Sequence, residues 1–571
     1  MKKWDLLNNF QFSIFNFQKD KLTKILLENR EIKTKKQREE FLNPKLESLT
    51  PDNLNIDKKE LSKTLKRIKK AIEKKELIVI FGDYDTDGVS GTAILWETLS
   101  GLKAKAMPYI PDRLEEGYGL SRKGIENLRK QYGEVSLIIT VDNGIVANEP
   151  VEFANSLGID VIITDHHVPS KKLPRAFAIV HSTKICGAAV GWFLSRFLEE
   201  KIAKKKNLDK HLELAGLATV ADMMQLTSFN RALVKFGLEQ IKKTKRPGLL
   251  SLFKLAGIDQ NQIGVYELGH IIAPRINAMG RLEHAMDSLR LLCTTNAQRA
   301  SDLAERLNLT NKERQQLTMD SFIHARDLVG KKNSKKLIFI ADKLYEPGVI
   351  GLIAGKLTEE YYRPAIVVSR RENYSKASAR SVSGFNIIEF IRLSSHLLVD
   401  AGGHPGAAGF TVETEKIGEL QALLEKIAEK QVRNDLLVRK LKIDCELDLD
   451  LINAQLFDSI NKLAPFGYGN PEPVFLSKGV TIVSMQIVGQ DGKHLKIRLR
   501  VIPTRSDLDI ASNQGRTLNA GEIGGIMFNF DSSKNLKIGD IADVVYSISQ
   551  NEWNGNKRIE LKIKDLRLNS S

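Results

Sequence analysis

The residues best equipped for chemistry in this chain are Asp83-Tyr84-Asp85-Thr86-Asp87-Gly88, just after the apolar run Leu77-Ile78-Val79-Ile80-Phe81. Carboxylates at alternate positions, crowded at the end of a buried strand, repel one another unless a cation or a set of donors offsets them. A divalent metal is the economical answer. A calcium loop of the D-x-D-x-D-G kind fails, because its twelfth position requires a bidentate Glu and here holds Ile94. For the hexapeptide alone, a solvated acidic turn remains the alternative.

Such a loop needs elements that bring further groups to it. From Leu77 to about Ala221, apolar runs alternate with helical segments: Leu77 to Phe81, Ala106 to Ile110, Leu137 to Val141 and Val161 to Thr164. That is the pattern of a βαβ series with a mostly parallel sheet buried on both faces. Runs ending at Asp83, Asp142 and Asp165 deliver acid to one sheet edge, and ligands of open α/β sheets bind beyond the carboxyl ends of the strands. Gly144 permits the tight turn that leaves Asp142 facing outward. A lone His is usually structural, but His166-His167 beside Asp165 at a strand end points to metal or phosphate chemistry. Asp222, within the apolar segment Leu217 to Met224, is costly to bury unless paired or coordinated.

A chain of 571 residues is too long for one core and predicts about three to four domains. Its net charge of +16 favours a polyanionic partner, nucleic acid first and an anionic membrane surface second. No apolar run reaches the roughly 18 residues of a membrane helix, so a cytoplasmic protein is expected. Cys186, Cys293 and Cys445 lack metal-ligand spacing and read as small buried apolar residues.

Residues 1 to 75 read as helical and basic, with Leu61, Leu65, Ile68 and Ile72 on one face. The basic run from Lys58 to Lys75 is read as a solvated face, with phosphate contact as the alternative. Residues 300 to 329 predict a long helix joining two domains across a cleft, or else an ordinary packed helix. A second α/β unit follows, with apolar runs Leu337 to Ile340 and Ala365 to Val368, the segments Pro347 to Gly351 and Ser378 to Ser381, and a block from Gly402-Gly403-His404 to Gly409. Glycines at that density beside a helix N-terminus suit a phosphate cradle, although a plain turn is the alternative. After about residue 440 the pattern is β, with Asp491-Gly492 as a hairpin turn. There Leu495, Ile497, Leu499 and Val501 alternate with Lys496, Arg498 and Arg500. That cationic strand face suits a single-strand backbone, or is simply the solvated outside of a small barrel.

The ordered set Asp83 to Gly88, Val141 to Gly144, Asp165-His166-His167 and Ala221-Asp222 resembles the motifs of the DHH phosphoesterase family. Its spacing is similar to the RecJ branch, the single-strand-specific 5′-to-3′ exonucleases. Phe41 to Pro44, Pro111-Asp112-Arg113, Gly117 to Leu120 and Arg275-Ile276-Asn277-Ala278-Met279-Gly280-Arg281 are similar too. The resemblance implies an α/β fold with a parallel-sheet DHH catalytic domain, a connecting helix, a smaller α/β DHHA1 domain and a C-terminal OB-fold barrel. The expected bounds are 1–75 (helical), 76–298 (DHH), 299–334 (helix), 335–435 (DHHA1) and 436–571 (OB).

It also implies metal-dependent release of 5′-mononucleotides from the 5′ end of single-stranded DNA, in DNA repair and recombination. Mixed carboxylate and imidazole ligands favour Mn²⁺ or Mg²⁺, as two ions about 3.5 to 4 Å apart. The expected ligands are Asp83, Asp85, Asp87, Asp142, Asp165, His166 and Asp222, with Asp142 bridging and His167 orienting the scissile phosphate. Arg113, Ser378 and Arg380 are expected to hold the 5′-phosphate, His404 to face the metals, and Arg275, Asn277, Arg281, Gly402 and Gly403 to contact substrate. Two positions depart from relatives: Phe81 stands where pyrophosphatases have a ligating His, and Glu346 where many RecJ sequences have His. A monomer is expected, with a helicase and a single-strand-binding protein as possible partners. The rival readings are a DHH phosphodiesterase of short oligoribonucleotides or cyclic dinucleotides, and a non-catalytic replication scaffold.

Overall fold

The computed structural model describes residues 2–13, 16–113, 115–330, 335–489, 492–501, 521–531, 535–553 and 556–569. The chain divides into two compact units, one of residues 46–224 and 232–439, the other of 2–45, 225–231 and 440–571. Among the described residues, no helix is long and apolar enough to cross a membrane.

The second unit starts with β1 (Lys3–Leu6) and β2 (Gln11–Phe12). The first unit holds β3 (Ile78–Phe81), β4 (Ala106–Tyr109), β5 (Leu137–Val141), β6 (Asp160–Asp165) and β7 (Ala178–His181), an all-parallel sheet in the order β4-β3-β5-β6-β7. β3 and β5 are buried throughout, which is why both read as unbroken apolar runs. From β3 the chain steps outward to β4, then returns to the other side of β3 as β5. This reversal puts a topological switch point at the carboxyl ends of β3 and β5. The helix Lys58–Glu73 packs behind the sheet through its buried Leu61, Thr64 and Ile68. Its one buried cation, Arg67, bonds Asp160 at 2.5 Å and Glu76 at 2.6 Å, while the other described charges of this basic run face solvent.

The helix Ala297–Val329 is capped by the Asn296 side chain and buries Ala300, Ala304, Leu307, Phe322 and Ala325 along one side. Its first half packs on the helix Ala273–Leu282 and its second half on Ile350–Tyr361, so it joins two lobes of the same unit. The second lobe is a sheet of β8 (Ile338–Asp342), β9 (Ala365–Ser369), β10 (Tyr374–Arg380), β11 (Leu398–His404) and β12 (Ala407–Glu413) in the order β11-β12-β10-β9-β8. Here the Gly402 to Gly409 block differs from expectation. It does not precede a helix; it is an antiparallel hairpin, with Gly402 opposite Gly409 and His404 opposite Ala407.

In the other unit, β13 (Lys440–Ile443) pairs with β1, and β14 (Cys445–Leu447) pairs with β2 and with β15 (Phe475–Val488). β15, β16 (His494–Val501), β17 (Glu522–Met527), β18 (Ile541–Trp553) and β19 (Asn556–Leu568) close a barrel in the order β15-β16-β17-β19-β18-β15. This is the five-stranded order of an OB-fold. Asp491 of the expected hairpin turn lies outside the described residues. The expectation of a mainly helical N-terminal segment holds for residues 19–73 but does not include β1 and β2, whose strand partners lie more than 400 residues downstream. The core joins Phe12, Leu22, Leu26, Leu27 and Phe41 to Phe475, Leu499 and Tyr546. Arg231, 1% exposed, donates to the carbonyls of Phe41, Leu463 and Ala464 at 2.6, 2.7 and 2.6 Å and to that of Lys462 at 3.3 Å.

Candidate active site

The switch point gathers the acids. Asp83 follows β3, and Asp142 follows β5 with φ +63°, a left-handed conformation that costs a non-glycine residue about 1 kcal/mol. Asn143 secures this turn by donating to the Phe81 and Val141 carbonyls and accepting from Leu120 N–H. Gly187 makes room for it, since a Cβ there would lie 2.5 Å from the Asp142 Cβ. Asp85 caps the helix Thr86–Gly101, accepting from Asp87 and Gly88 N–H at 2.9 and 3.0 Å. Asp87 accepts from Gly187 and Ala188 N–H, both at 2.7 Å. Asp222 ends the helix Leu212–Ala221, where the macrodipole disfavours a negative charge.

Three groupings place ligand atoms within 4.8 Å of one another: Asp83 with Asp85 and Asp142; Asp87 with His166 and Asp222; Asp142 with His166 and His167. The acids are frustrated. One buried oxygen each of Asp83 and Asp142 accepts no hydrogen bond, although His166 Nε2 stands 3.1 Å from that Asp142 oxygen, out of alignment for one. Burial, then the neighbouring carboxylates, pushes the Asp83, Asp85 and Asp142 carboxyls above their usual range and Asp222 up to about 9. Burial lowers the His166 pKa and so favours the neutral imidazole, the form that binds metal. Buried, unpartnered carboxylate oxygens around a neutral imidazole fit divalent cations.

Asp165 stands apart. One oxygen accepts from His166 and His167 N–H at 2.7 and 3.2 Å and meets His167 Nδ1 at 2.8 Å; the other accepts from Ile145 N–H at 2.9 Å. Burial alone would raise this carboxyl, but the His167 bond and charge and these N–H donors hold it below the usual range. Among the described residues it is in none of the three groupings. Asp165, expected as a ligand, is bonded here to His167, whose Nε2 lies 3.1 Å from the Tyr118 hydroxyl.

Across from Asp83 and Asp85, a cleft of about 450 Å³ is walled by Arg113, Arg281, Ser378 and Arg380. Burial, then repulsion from Arg113, Arg314 and Arg380, pushes Arg281 down to about 10. Crowded guanidiniums are the mirror image of the crowded acids and call for an anion. Arg113 also lies over the Tyr84 ring, 5.1 Å from its centroid. Arg314, on the long helix and close enough to repel Arg281, was not expected from sequence; nor were Lys376, Asp400 and Thr411, which line the cleft.

The Arg275 to Arg281 segment acts mainly on the acidic loop. Asn277 Oδ1 accepts from Thr86 N–H at 2.7 Å and lies 2.7 Å from Thr86 Oγ1. A Cβ on Gly280 would come within 2.4 Å of the Tyr84 carbonyl, so this helix rests directly on the loop. Arg275 bonds Asn308 at 3.1 Å and the Ile271 carbonyl at 2.7 Å, outside the cleft lining. His404 and Gly402 share the sheet face of Arg380 and Ser378 by register, but His404, Gly402 and Gly403 are exposed and do not line the cleft. Phe81 is buried and stacks on Tyr109, and Glu346 bonds Arg371 at 2.8 Å. On the barrel, Lys496 and Arg498 are exposed in a groove of about 1310 Å³ with Arg558 and Asn551, whereas Arg500 is half-buried and Arg498 lies 3.6 Å from Glu522.

Comparison with known proteins assigns the class first. Residues 77–221 match the DHH family N-terminal domain and 333–430 the DHHA1 domain, the two lobes that face each other across the cleft. Residues 443–565 match the RecJ OB domain. The single-stranded-DNA-specific exonuclease RecJ of Thermus thermophilus is 32% identical over 91% of this chain and 73% of its own length. That of Bacillus subtilis is 34% identical over 89% of this chain, which spans 64% of that relative. The crystal structure of RecJ in complex with Mn²⁺ from Thermus thermophilus superposes with a TM-score of 0.80 at 29% identity, covering 100% of this chain and 80% of that one. The chain belongs to the RecJ family.

Proposed function

We propose that this chain is a divalent-metal-dependent exonuclease that removes 5′-mononucleotides from the 5′ end of single-stranded DNA, serving DNA repair and recombination. The observation behind this reading is the single cleft in which Asp83 and Asp85 face Arg113, Arg281 and Arg380. A terminal phosphate held by those arginines lies one step from the carboxylates, which favours attack at a strand end. Relatives named for single-stranded-DNA-specific exonuclease activity, and RecJ crystal structures with Mn²⁺ and with Mg²⁺, support it further.

Asp83, Asp85 and Asp142 would hold one ion and Asp87, His166 and Asp222 a second, with Asp142 between them. The chemistry supplied by bound Mn²⁺ or Mg²⁺ is a water nucleophile at neutral pH and neutralisation of phosphoryl charge. The chain does the rest. Asp165 fixes the His167 ring, and burial is outweighed by the Asp165 bond and charge, which raise the His167 pKa and favour a cation able to orient the scissile phosphate. Arg113, Arg281, Ser378 and Arg380 bind the 5′-phosphate, with Arg314 adding charge. Lys496 and Arg498 hold the strand backbone on the barrel. His404 approaches the reacting phosphate from the second lobe, and the expected domain bounds are kept as part of this reading. Action in the cytoplasm as a monomer, beside a helicase and a single-strand-binding protein, completes it.

The test compares 5′-labelled single-stranded DNA, RNA, duplex DNA and a cyclic dinucleotide with Mn²⁺ and with Mg²⁺. Mononucleotide release is expected to be fastest from single-stranded DNA. Faster cleavage of the cyclic dinucleotide, or no tight Mn²⁺ binding at all, overturns the proposal.

A further inference from the structure

Met223 directly follows Asp222 and ends the helix Leu212–Ala221 in a Schellman turn: Met224 N–H donates to the Thr219 carbonyl at 3.2 Å and Met223 N–H to that of Val220 at 3.1 Å. The second residue past the last helical turn is left-handed in this motif and is normally glycine. Here it is Met223, with φ +55°. The strain comes with no packing return, since Met223 is 65% exposed and the half-buried Met224 supplies the apolar contact such turns make. A large apolar side chain is therefore displayed to solvent at a backbone cost, one residue from a carboxylate that stands 3.7 Å from His166 Nε2.

Its place along the site is defined. The arginines share a cleft with Asp83 and Asp85; Asp142 groups with those acids and again with His166; His166 groups with Asp87 and Asp222. In that sequence Asp222, the residue before Met223, belongs to a grouping that shares no member with the arginine cleft. With a 5′-phosphate at the arginines and the scissile phosphate at the acids, the strand continues past Asp222.

We propose that Met223 is a substrate-positioning contact, its thioether packing on the base of the nucleotide just 3′ of the scissile phosphate. This rests on the exonuclease reading above. An unbranched, polarisable side chain adapts to any of the four bases.

The test uses the full-length protein with Met223→Gly, Met223→Ala and Met223→Leu. Glycine relieves the left-handed strain, so Met223→Gly is expected to melt no lower than the parent, separating a lost contact from a lost fold. Affinity for a 5′-phosphorylated oligonucleotide is measured by anisotropy without metal, and KM and kcat with Mn²⁺. A second oligonucleotide lacks the base at its second position. The parent is expected to bind the abasic strand about fivefold more weakly, Met223→Gly and Met223→Ala to bind both strands at that weaker level with kcat nearly unchanged, and Met223→Leu to recover most of the difference. Equal binding of both strands by the parent, or parental affinity in Met223→Gly, overturns the assignment. Failure of the exonuclease reading is separately visible, as absence of cleavage while the binding comparison stands.

Discussion

Asp142 and Asp165 are both buried acids at adjoining strand ends, yet one is starved of donors and the other saturated with them. Removing each should therefore do opposite things. Asp142→Asn keeps a side chain tolerant of the left-handed backbone and deletes a charge that burial disfavours. The metal-free variant is expected to melt higher than the parent at pH 8, while Mn²⁺ binding and nucleotide release fall by at least about 100-fold. Asp165→Asn should leave Mn²⁺ affinity, read by calorimetry, far less affected, and lower turnover by about 10- to 100-fold through a misoriented His167.

The same acids give a pH dependence. The carboxyl of Asp222 is raised to about 9 in the metal-free fold, so its contribution to stability is fully present below the unfolded carboxylate pKa and is lost as pH rises towards 9. Bound cations compete with those protons. The melting-temperature gain from Mn²⁺ should thus be larger at pH 8.5 than at pH 6, and an equal gain at both would contradict the raised carboxyls.

At the level of elements, the helix Ala273–Leu282 is the support on which the acidic loop rests. Gly280→Ala would drive a methyl to 2.4 Å from the Tyr84 carbonyl and displace the loop. The expected result is a folded protein, by circular dichroism, with Mn²⁺ affinity reduced about tenfold or more, because metal sites tolerate little displacement. Arg314→Ala should reduce the preference for a 5′-phosphate over a 5′-hydroxyl by roughly tenfold, the worth of one charge-assisted hydrogen bond.

Arg314 also marks a limit of sequence reading. β3, β5 and β6 were legible because strands buried on both faces must be apolar runs, and the acids following them share an edge by topology. β7 was missed, being four residues with alternate burial. Arg314 was not legible because it is one of many charges on a 33-residue helix, and which of them comes near Arg281 depends on a helix rotation fixed only by packing. Of the glycine-rich segments, Pro347 to Gly351 does open a helix and lines the cleft, whereas Gly402 to Gly409 is a hairpin, because glycine density signals close approach without saying of what.

On the scale of the whole molecule, the barrel unit is assembled from sequence extremes. Phe12, Leu22, Leu26 and Leu27 are nearly wholly buried among residues of the barrel. A fragment of residues 440–571 alone should expose that apolar surface and show no cooperative thermal transition, whereas adding residues 2–45 through a flexible linker should restore one.

The pairing of β1 with β13 also constrains how the protein is made. Lys3 lies opposite Lys440, so at about 5 to 20 residues per second the early segment leaves the ribosome roughly 20 to 90 s before its partner strand is synthesised. During that interval Leu22, Leu26 and Leu27 have no barrel to enter, while the parallel sheet from β3 to β7 is already complete. Folding order thus runs against chain order: the parallel-sheet lobe can form first, and the early segment must be kept from aggregating until the barrel strands arrive.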